Sequence, residues 1–591
     1  MNQRSEIADG MRIDWDVPIE MDDGVVLRAD VFRPLSGGRH PVIMTSGPYA
    51  KNLPFEQGWP WQWNLLTTTW PEVVEGTTSK YNVWETADPE KWVPHGYACV
   101  RVDSRGAGRS PGYLDPFSPR ETRDYYDCIE WVAQQTWCNG RVGLNGISYY
   151  GINCWHVAAL QPPHLSAICV WEGAAEWYRD MNFHGGIPST FWPWLALTQI
   201  LRVQYGMGTR GPINMHTGEL ICGEETLSEE ELEANRCDLA RELRSHPLDG
   251  NYYADRSPDW AKVEVPLLSA ANWGGHGLHL RGNFEGFIRS ASQQKWLECH
   301  GFEHWTTFYT DYGREMQLRF FDHFLRDAGS WVEDQPPVSI NVRHVGNNFV
   351  PRAESEWPLA GTAWTKLYLD PRKGALTEQA PSQAETITYD ALGEGVMFRA
   401  PVSEEEVEIT GPVVAKIWVR SSTTDADLFL NLQLFDPEGK EIHFIAAVDP
   451  KAPAAFGWLR ASHRKLNLDL TEEWRPYHAH DEMELLVPGK DYECDVEFWP
   501  TSIVVPAGYQ LALSIRGRDY DHGSQVVPLG DQLAPSTGAT GFHGVEMRGC
   551  GPFLHNDPLQ RPASIFGGEV TIHGGGATPS HVLLPVIPQE R

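Results

Sequence analysis

Basic residues are scarce: 48 Lys and Arg stand against 79 Asp and Glu in 591 residues, a net charge of −31. A general binder of nucleic acid or anionic membrane needs the opposite sign, because phosphate recognition relies on Lys and Arg displacing counterions. Neither partner is expected. No uninterrupted apolar run approaches the ~20 residues that cross a bilayer, and the opening MNQRSEIADGMRIDW lacks the apolar core and small-residue cleavage site of a secretory signal. Cysteine is sparse, ten residues with no C-x-x-C pair. That usage points to free, mostly buried thiols in a reducing compartment. Internal repeats and low-complexity tracts are also missing. What is present is a globular composition, 41% hydrophobic and 11% aromatic, on a chain long enough for two or three domains. The expectation is a soluble cytoplasmic protein, with a homo-oligomer permitted.

The chain changes character once. Asp22-Asp23-Gly24 is a turn signal between two extended runs, Ile13–Ile19 and Val25–Phe32. Short buried runs recur at Pro41–Ser46, Tyr97–Asp103, Val142–Ile147, Ala167–Trp171, Pro266–Ala271 and Lys295–Leu297. Tyr125, Cys128, Ile129 and Val132 make one amphipathic stripe, and Met316, Phe320 and Phe324 another. This alternation predicts an α/β domain with a largely parallel sheet covered on both faces. Residues 50–95 carry six tryptophans, and residues 180–255, with the acidic run Glu224–Glu233, read as an inserted helical lid. Asp334-Gln335-Pro336-Pro337 is the best linker. Beyond it, Val413–Val419 and the alternating Leu428, Leu430, Leu432 and Leu434 read as half-buried strands of an antiparallel sandwich or jelly roll.

The segment richest in chemistry is Gly143-Leu144-Asn145-Gly146-Ile147-Ser148-Tyr149-Tyr150-Gly151. A strand ends in a Gly-x-Ser turn and a helix follows, the arrangement that exposes a serine Oγ at a sheet edge. Tyr150 occupies the usual second glycine position, so the pattern alone leaves Ser148 as either a nucleophile or a cap of the next helix. Asp103–Ser110 is a Gly-rich loop after a strand, without G-x-G-x-x-G order or an acidic ribose partner, and no dinucleotide cofactor is implied. His478-Ala479-His480 with Glu484 has cupin-like spacing but no second ligand stretch, so these are taken as polar loop residues. No Cys/His cluster suggests zinc. The reading contains no metal and no cofactor.

The run GYACVRVDSRGAGRS, WVAQQTW, NGRVG and GISYYG, between residues 96 and 151, resembles the cocaine-esterase and X-Pro dipeptidyl-peptidase-like (CocE/NonD) serine hydrolases. The likeness continues in Gly47-Pro48-Tyr49-Ala50-Lys51, HGFEHW (300–305), FFDHFL (320–325), GPVVAKIWV (411–419), GWLRASHRKL (457–466) and PAGYQLALSI (506–515). The resemblance implies an α/β-hydrolase domain over 1–180 and 256–332, a helical cap over 181–255, and a C-terminal all-β jelly-roll domain over 338–591.

It also implies residue roles. Ser148 is the nucleophile, and it needs a base within hydrogen-bond reach. His304 matches the family's histidine, with His300 the nearby competitor. The family's aspartate, two residues after a Gly-Trp, corresponds to Gly275 in Ala271-Asn272-Trp273-Gly274-Gly275-His276-Gly277. Glu172, at the end of the strand before the cap, is the first substitute considered. Glu176 and Asp180 are the next, with a cap-hinge salt bridge as their structural alternative, and an acid-free dyad also stays open. Should Glu172 fail, Asn272 or His276 would orient the base. The oxyanion donors are the Tyr149 N–H and, by resemblance, the Tyr49 phenol. Trp171, Trp192 and Trp273 would line an apolar substrate pocket. The function expected is hydrolysis of a small, hydrophobic or aromatic carboxylic ester; amide, peptide or acyl-transfer chemistry at the same site is the alternative. A catalytically dead jelly-roll binding protein is the second alternative.

Overall fold

A computed structural model describes residues 4–523 and 548–588, so the outer ends of the expected domains and residues 524–547 lie outside it. Strands β1 (Arg4–Ala8), β2 (Met11–Glu20) and β3 (Val26–Pro34) form an antiparallel meander. The expected turn joins β2 to β3, with Gly24 at φ +83° where a side chain would be strained. Five strands with crossover connections follow: β4 (His40–Gly47), β5 (Ala98–Asp103), β6 (Cys138–Ile147), β7 (Leu165–Trp171) and β8 (Leu267–Asn272). β9 (Lys295–His300), β10 (Val338–His344) and β11 (Asn348–Glu354) complete an 11-stranded sheet in the order β1-β2-β3-β5-β4-β6-β7-β8-β9-β10-β11. Pairing is parallel from β5 through β10. The hydrolase sheet thus runs past the Pro336-Pro337 linker to Glu354, because β10 finds its hydrogen-bond partners on β9. The boundary expected at residue 338 falls inside the sheet.

The helices follow their sequence signals. α1 (Pro119–Ala133) starts with Ser118 accepting the Glu121 N–H at 3.2 Å and a proline in the first turn. It buries Tyr125, Cys128, Ile129 and Val132. α2 (Tyr149–Ala158) is buried on all sides, and α3 (Leu280–Arg289) precedes β9. α4 (Asp311–Arg326) buries Met316, Phe320, Phe321 and Leu325, leaving Phe324 half-buried against Trp296.

Residues 181–255 carry short helices and a hairpin of Phe183–His184 with Ile187–Pro188. The acidic run is a helix start: Ser228 and Glu231 form a reciprocal capping box, with glutamates at the positive end of the dipole. The tryptophan-rich stretch folds as a second cover, with Trp59 and Trp84 stacked at 4.7 Å.

The C-terminal domain is all-β, a 12-stranded sheet in which His581–Ile587 pairs with both Ala363–Asp370 and Val407–Ser421 and so closes a barrel. Asp427–Phe435 is buried on both faces rather than half-buried. Its leucines point into the barrel core, while Phe429 joins Trp273, Leu280 and Phe284 in a core shared with the hydrolase domain. The His478–His480 stretch is likewise not a polar surface loop. Both histidines are buried, and the carbonyls of His478 and Ala479 accept from Arg179, just before the expected cap. All ten cysteines are unpaired, and only Cys237 and Cys550 are less than buried. No helix among the described residues is long and apolar enough to cross a membrane.

Candidate active site

β6 ends at Ile147, α2 begins at Tyr149, and Ser148 between them takes φ +54°, ψ −117°. Such strain costs on the order of 1–3 kcal/mol and persists where surroundings over-determine it. Here the Ser148 N–H donates to Trp171 O at 3.0 Å, and its carbonyl accepts from the Ile152 N–H at 2.7 Å. The neighbours must be small. A Cβ on Gly146 would lie 2.4 Å from the Tyr150 Cβ, and one on Gly151 would lie 2.8 Å from Trp171 O. Tyr150 is accommodated by a glycine elsewhere: a Cβ on Gly47, at the end of β4, would meet its ring at 2.6 Å. The missing glycine of the elbow has a counterpart on the adjacent strand.

Two imidazoles flank the serine. His279, in the loop after β8, places Nε2 3.0 Å from Ser148 Oγ. His304, in the loop after β9, lies 5.3 Å from it ring to ring, and its Nε2 is 3.0 Å from Glu85 Oε1. Glu85 comes from the tryptophan-rich stretch. It has φ +61°, its carbonyl accepts the Ile147 N–H at 3.1 Å, and Thr86 bridges Gly146. The segment is therefore sewn to the end of β6 and delivers its carboxyl beside the elbow. All four residues are buried.

Burial lowers His304 to about 3 and His279 well below the usual imidazole range, with His304 adding to the effect on His279. Both are neutral bases. Burial also pushes Glu85 well above the usual carboxylate range. Glu172 adds to this, and the Ser148 hydroxyl and Trp84 oppose it.

Tyr149 opens α2, so its N–H is among the first-turn donors without an intrahelical acceptor. Its side chain is anchored: the phenol donates to Glu121 Oε2 at 2.8 Å and the ring stacks on Phe117 at 4.0 Å. Tyr49 stands edge-on to Tyr149 and Tyr150 at 5.7 and 5.9 Å. Burial, helped by Glu85, holds its phenol protonated and hence a donor.

The X-Pro dipeptidyl-peptidase (S15) family matches residues 23–306, and the X-Pro dipeptidyl-peptidase C-terminal non-catalytic domain matches residues 330–583. The crystal structure of a CocE/NonD family hydrolase from Staphylococcus aureus is 30% identical with a TM-score of 0.81, covering 98% of this chain and 94% of that one. The chain belongs to the CocE/NonD hydrolase family. Like its relatives it is a serine hydrolase. A cocaine esterase of Rhodococcus is 24% identical over 652 residues, spanning 97% of this chain and 98% of that protein. A Xaa-Pro dipeptidyl-peptidase of Streptococcus sanguinis is 21% identical over 308 residues, spanning 44% of this chain and 39% of that protein.

In this CocE/NonD hydrolase an acid at Gly275 would crowd its turn. A Cβ there would sit 3.1 Å from both Asn272 O and Leu280 N, and 3.3 Å from the His279 Cβ, inside the turn that aims His279. Glu172 does not partner His304. Its Oε1 lies 3.0 Å from His300 Nε2 and accepts from Asn272 Nδ2 at 3.3 Å, while His300 Nδ1 faces Glu298 at 2.7 Å. Glu176 and Asp180 both accept from Arg281, the cap-hinge salt bridge weighed against a catalytic role. His276 packs on Phe456.

Of the three pocket tryptophans, Trp192 packs edge-on to Tyr149 at 6.3 Å. Trp171 is core, against His300 and Phe308. Trp273 is not at the site: its Nε1 donates to Asn341 O, and it packs on Phe284 and Trp357 in the core shared with the barrel. The rings beside the histidines are instead Trp84 and Trp305, 5.6 and 5.0 Å from His304.

His279 and Glu85 were missed from sequence. The available signals were a histidine four residues beyond Gly275 in the family's acid loop, and a lone carboxylate between Tyr81 and Ala87. The C-terminal domain locks both histidine loops through one residue, Ala447. The Ala447 N–H donates to Gly274 O at 2.9 Å, and its carbonyl accepts the His304 N–H at 3.0 Å.

Proposed function

We propose that this hydrolase cleaves small carboxylic esters with hydrophobic or aromatic acyl groups through an acyl-enzyme on Ser148. The observation that carries the reading is the 3.0 Å approach of His279 Nε2 to Ser148 Oγ at the elbow. His279 takes the Oγ proton as the oxygen attacks the acyl carbon, then gives it to the leaving group. The Tyr149 N–H and the Tyr49 phenol receive the developing oxyanion, where each donor is typically worth ~2.7–4 kcal/mol. The aromatic surround of Trp84, Trp192 and Trp305 favours an apolar acyl group. The likeness to a cocaine esterase along nearly the whole chain favours an ester. The S15 match keeps amide or peptide cleavage as the second reading, using the same residues.

The same reading takes residues 181–255 as the cap, residues 338–591 as a C-terminal jelly-roll domain whose barrel braces the histidine loops, and the cytoplasm as the location. Burst kinetics with p-nitrophenyl acetate and butyrate, followed by intact mass after a fluorophosphonate, tests the chemistry. A stoichiometric burst and one adduct on the Ser148 peptide, both lost in Ser148→Ala, are expected. Wild-type protein with neither makes this a binding protein.

A further inference from the structure

We propose that Glu121 is a positioning residue for the oxyanion hole, acting through the Tyr149 side chain. This rests on the reading of Ser148 as nucleophile, with the Tyr149 N–H and the Tyr49 phenol as donors. A donor stabilises an oxyanion most when it is already held where the charge will develop. What fixes the first residue of α2 therefore bears on the rate. Ser148 makes no side-chain cap bond to that helix. Tyr149 is held instead from the far end of its own side chain.

Three groups tie one knot there. The Tyr149 phenol donates to Glu121 Oε2 at 2.8 Å, and the Phe117 N–H donates to the same oxygen at 2.6 Å. The Phe117 N–H also reaches the Tyr149 Oη at 3.3 Å. Glu121 is itself fixed in the first turn of α1, where its N–H donates to Ser118 Oγ. Phe117 takes φ +55°, a left-handed conformation that strains a bulky residue and persists only where its surroundings impose it. That conformation lays the Phe117 ring on Tyr149 at 4.0 Å, while Tyr49 meets the same tyrosine edge-on at 5.7 Å. One ring thus braces both oxyanion donors. Burial raises Glu121 to about 7. The knot needs no charge, because a carboxylate and a carboxylic acid both keep an oxygen that accepts. No proton passes through Glu121, so the acyl-transfer step is unchanged.

The test starts from a wild-type burst and Ser148 adduct, whose absence would sink the ester reading rather than this one. Glu121→Leu removes the acceptor and Tyr149→Phe removes only the phenol. Each should lower kcat per folded molecule by ~10–10², short of the full loss of a donor, with KM little changed. Binding of a trifluoromethyl ketone, which forms the tetrahedral oxyanion on Ser148, should weaken by the same factor. Glu121→Gln keeps an oxygen acceptor and should recover most of the rate. The double variant of Glu121→Leu with Tyr149→Phe should fall no further than the worse single one. A role in packing alone would lower the unfolding midpoint and leave kcat and ketone binding at wild-type values, which would overturn the proposal. So would a Gln variant no better than Leu, or losses that multiply in the double variant. If Glu121→Leu does not fold, Tyr149→Phe decides through the same kcat and ketone measurements.

Discussion

His300 ends β9 and His304 lies four residues on in the loop that follows, both are buried, and each meets a glutamate at 3.0 Å, yet their charges differ. Burial opposes a charge on both. For His300, Glu298 and Glu172 together outweigh it and push the imidazole up to about 10. His304 has one carboxyl partner, itself held neutral by burial, and falls to about 3. The first cluster, two carboxyls on one raised imidazole, is an ion triad that fastens β9 to the end of β7. The second is a neutral pair. Proximity of His to Glu does not identify a catalytic acid; the number of carboxylates on the imidazole and their remaining partners do.

The comparison breaks most severely at the base. His279→Ala should lower kcat by ~10³–10⁴ with the fold intact, whereas a matched loss of stability without a loss of kcat in folded protein would remove His279 from the chemistry. Steady-state ester hydrolysis beside urea unfolding separates the two.

The ion triad should behave in the opposite way. His300→Gln leaves Glu172 and Glu298 buried without their cation, a loss of about 3–5 kcal/mol by the cost of breaking a buried pair. kcat per folded molecule should be retained. The pH signature sharpens this. A base raised from 6.5 to about 10 contributes stability that is fully present below 6.5 and is lost as pH rises through about 10. Glu172, raised from 4.5 to about 7 by burial, loses stability in the same direction at lower pH. Unfolding midpoints of wild type should therefore fall from pH 6.5 to 10, and those of His300→Gln should be flatter across that window. A parallel fall in both proteins would contradict the assignment.

The smallest effect concerns the oxyanion donor. Tyr49→Phe keeps the ring that packs on Tyr149 and Tyr150 but loses the phenol. It should lower kcat by ~10²-fold with a lesser effect on KM, since the bond forms mainly in the transition state. A change confined to KM would make Tyr49 a packing residue.

Most of the fold was legible. The alternating buried runs marked β4 through β9 within a few residues, and the Tyr125–Val132 stripe marked the buried face of α1. Periodicity reports burial of one face, so it understated Asp427–Phe435, whose second face is covered by another domain. Pairing is not a local property either, which is why periodicity did not show that β10 joins β9 across the Pro336-Pro337 linker.

Ser148 was legible because a strand-turn-helix with glycines at 146 and 151 is a local backbone requirement written in consecutive residues. Its partners were not. Glu85 lies 63 positions before it and His279 131 after, and they meet only because a loop is tied to Ile147 and a turn closes over Gly275. The sequence by itself determined the elbow that carries Ser148, the two-part organisation and the family. Tertiary structure decided which histidine touches the serine and which glutamates become structural ions. That division is physical: strand, turn and cap preferences act between near neighbours. The charge state and reach of a buried side chain depend on everything packed around it.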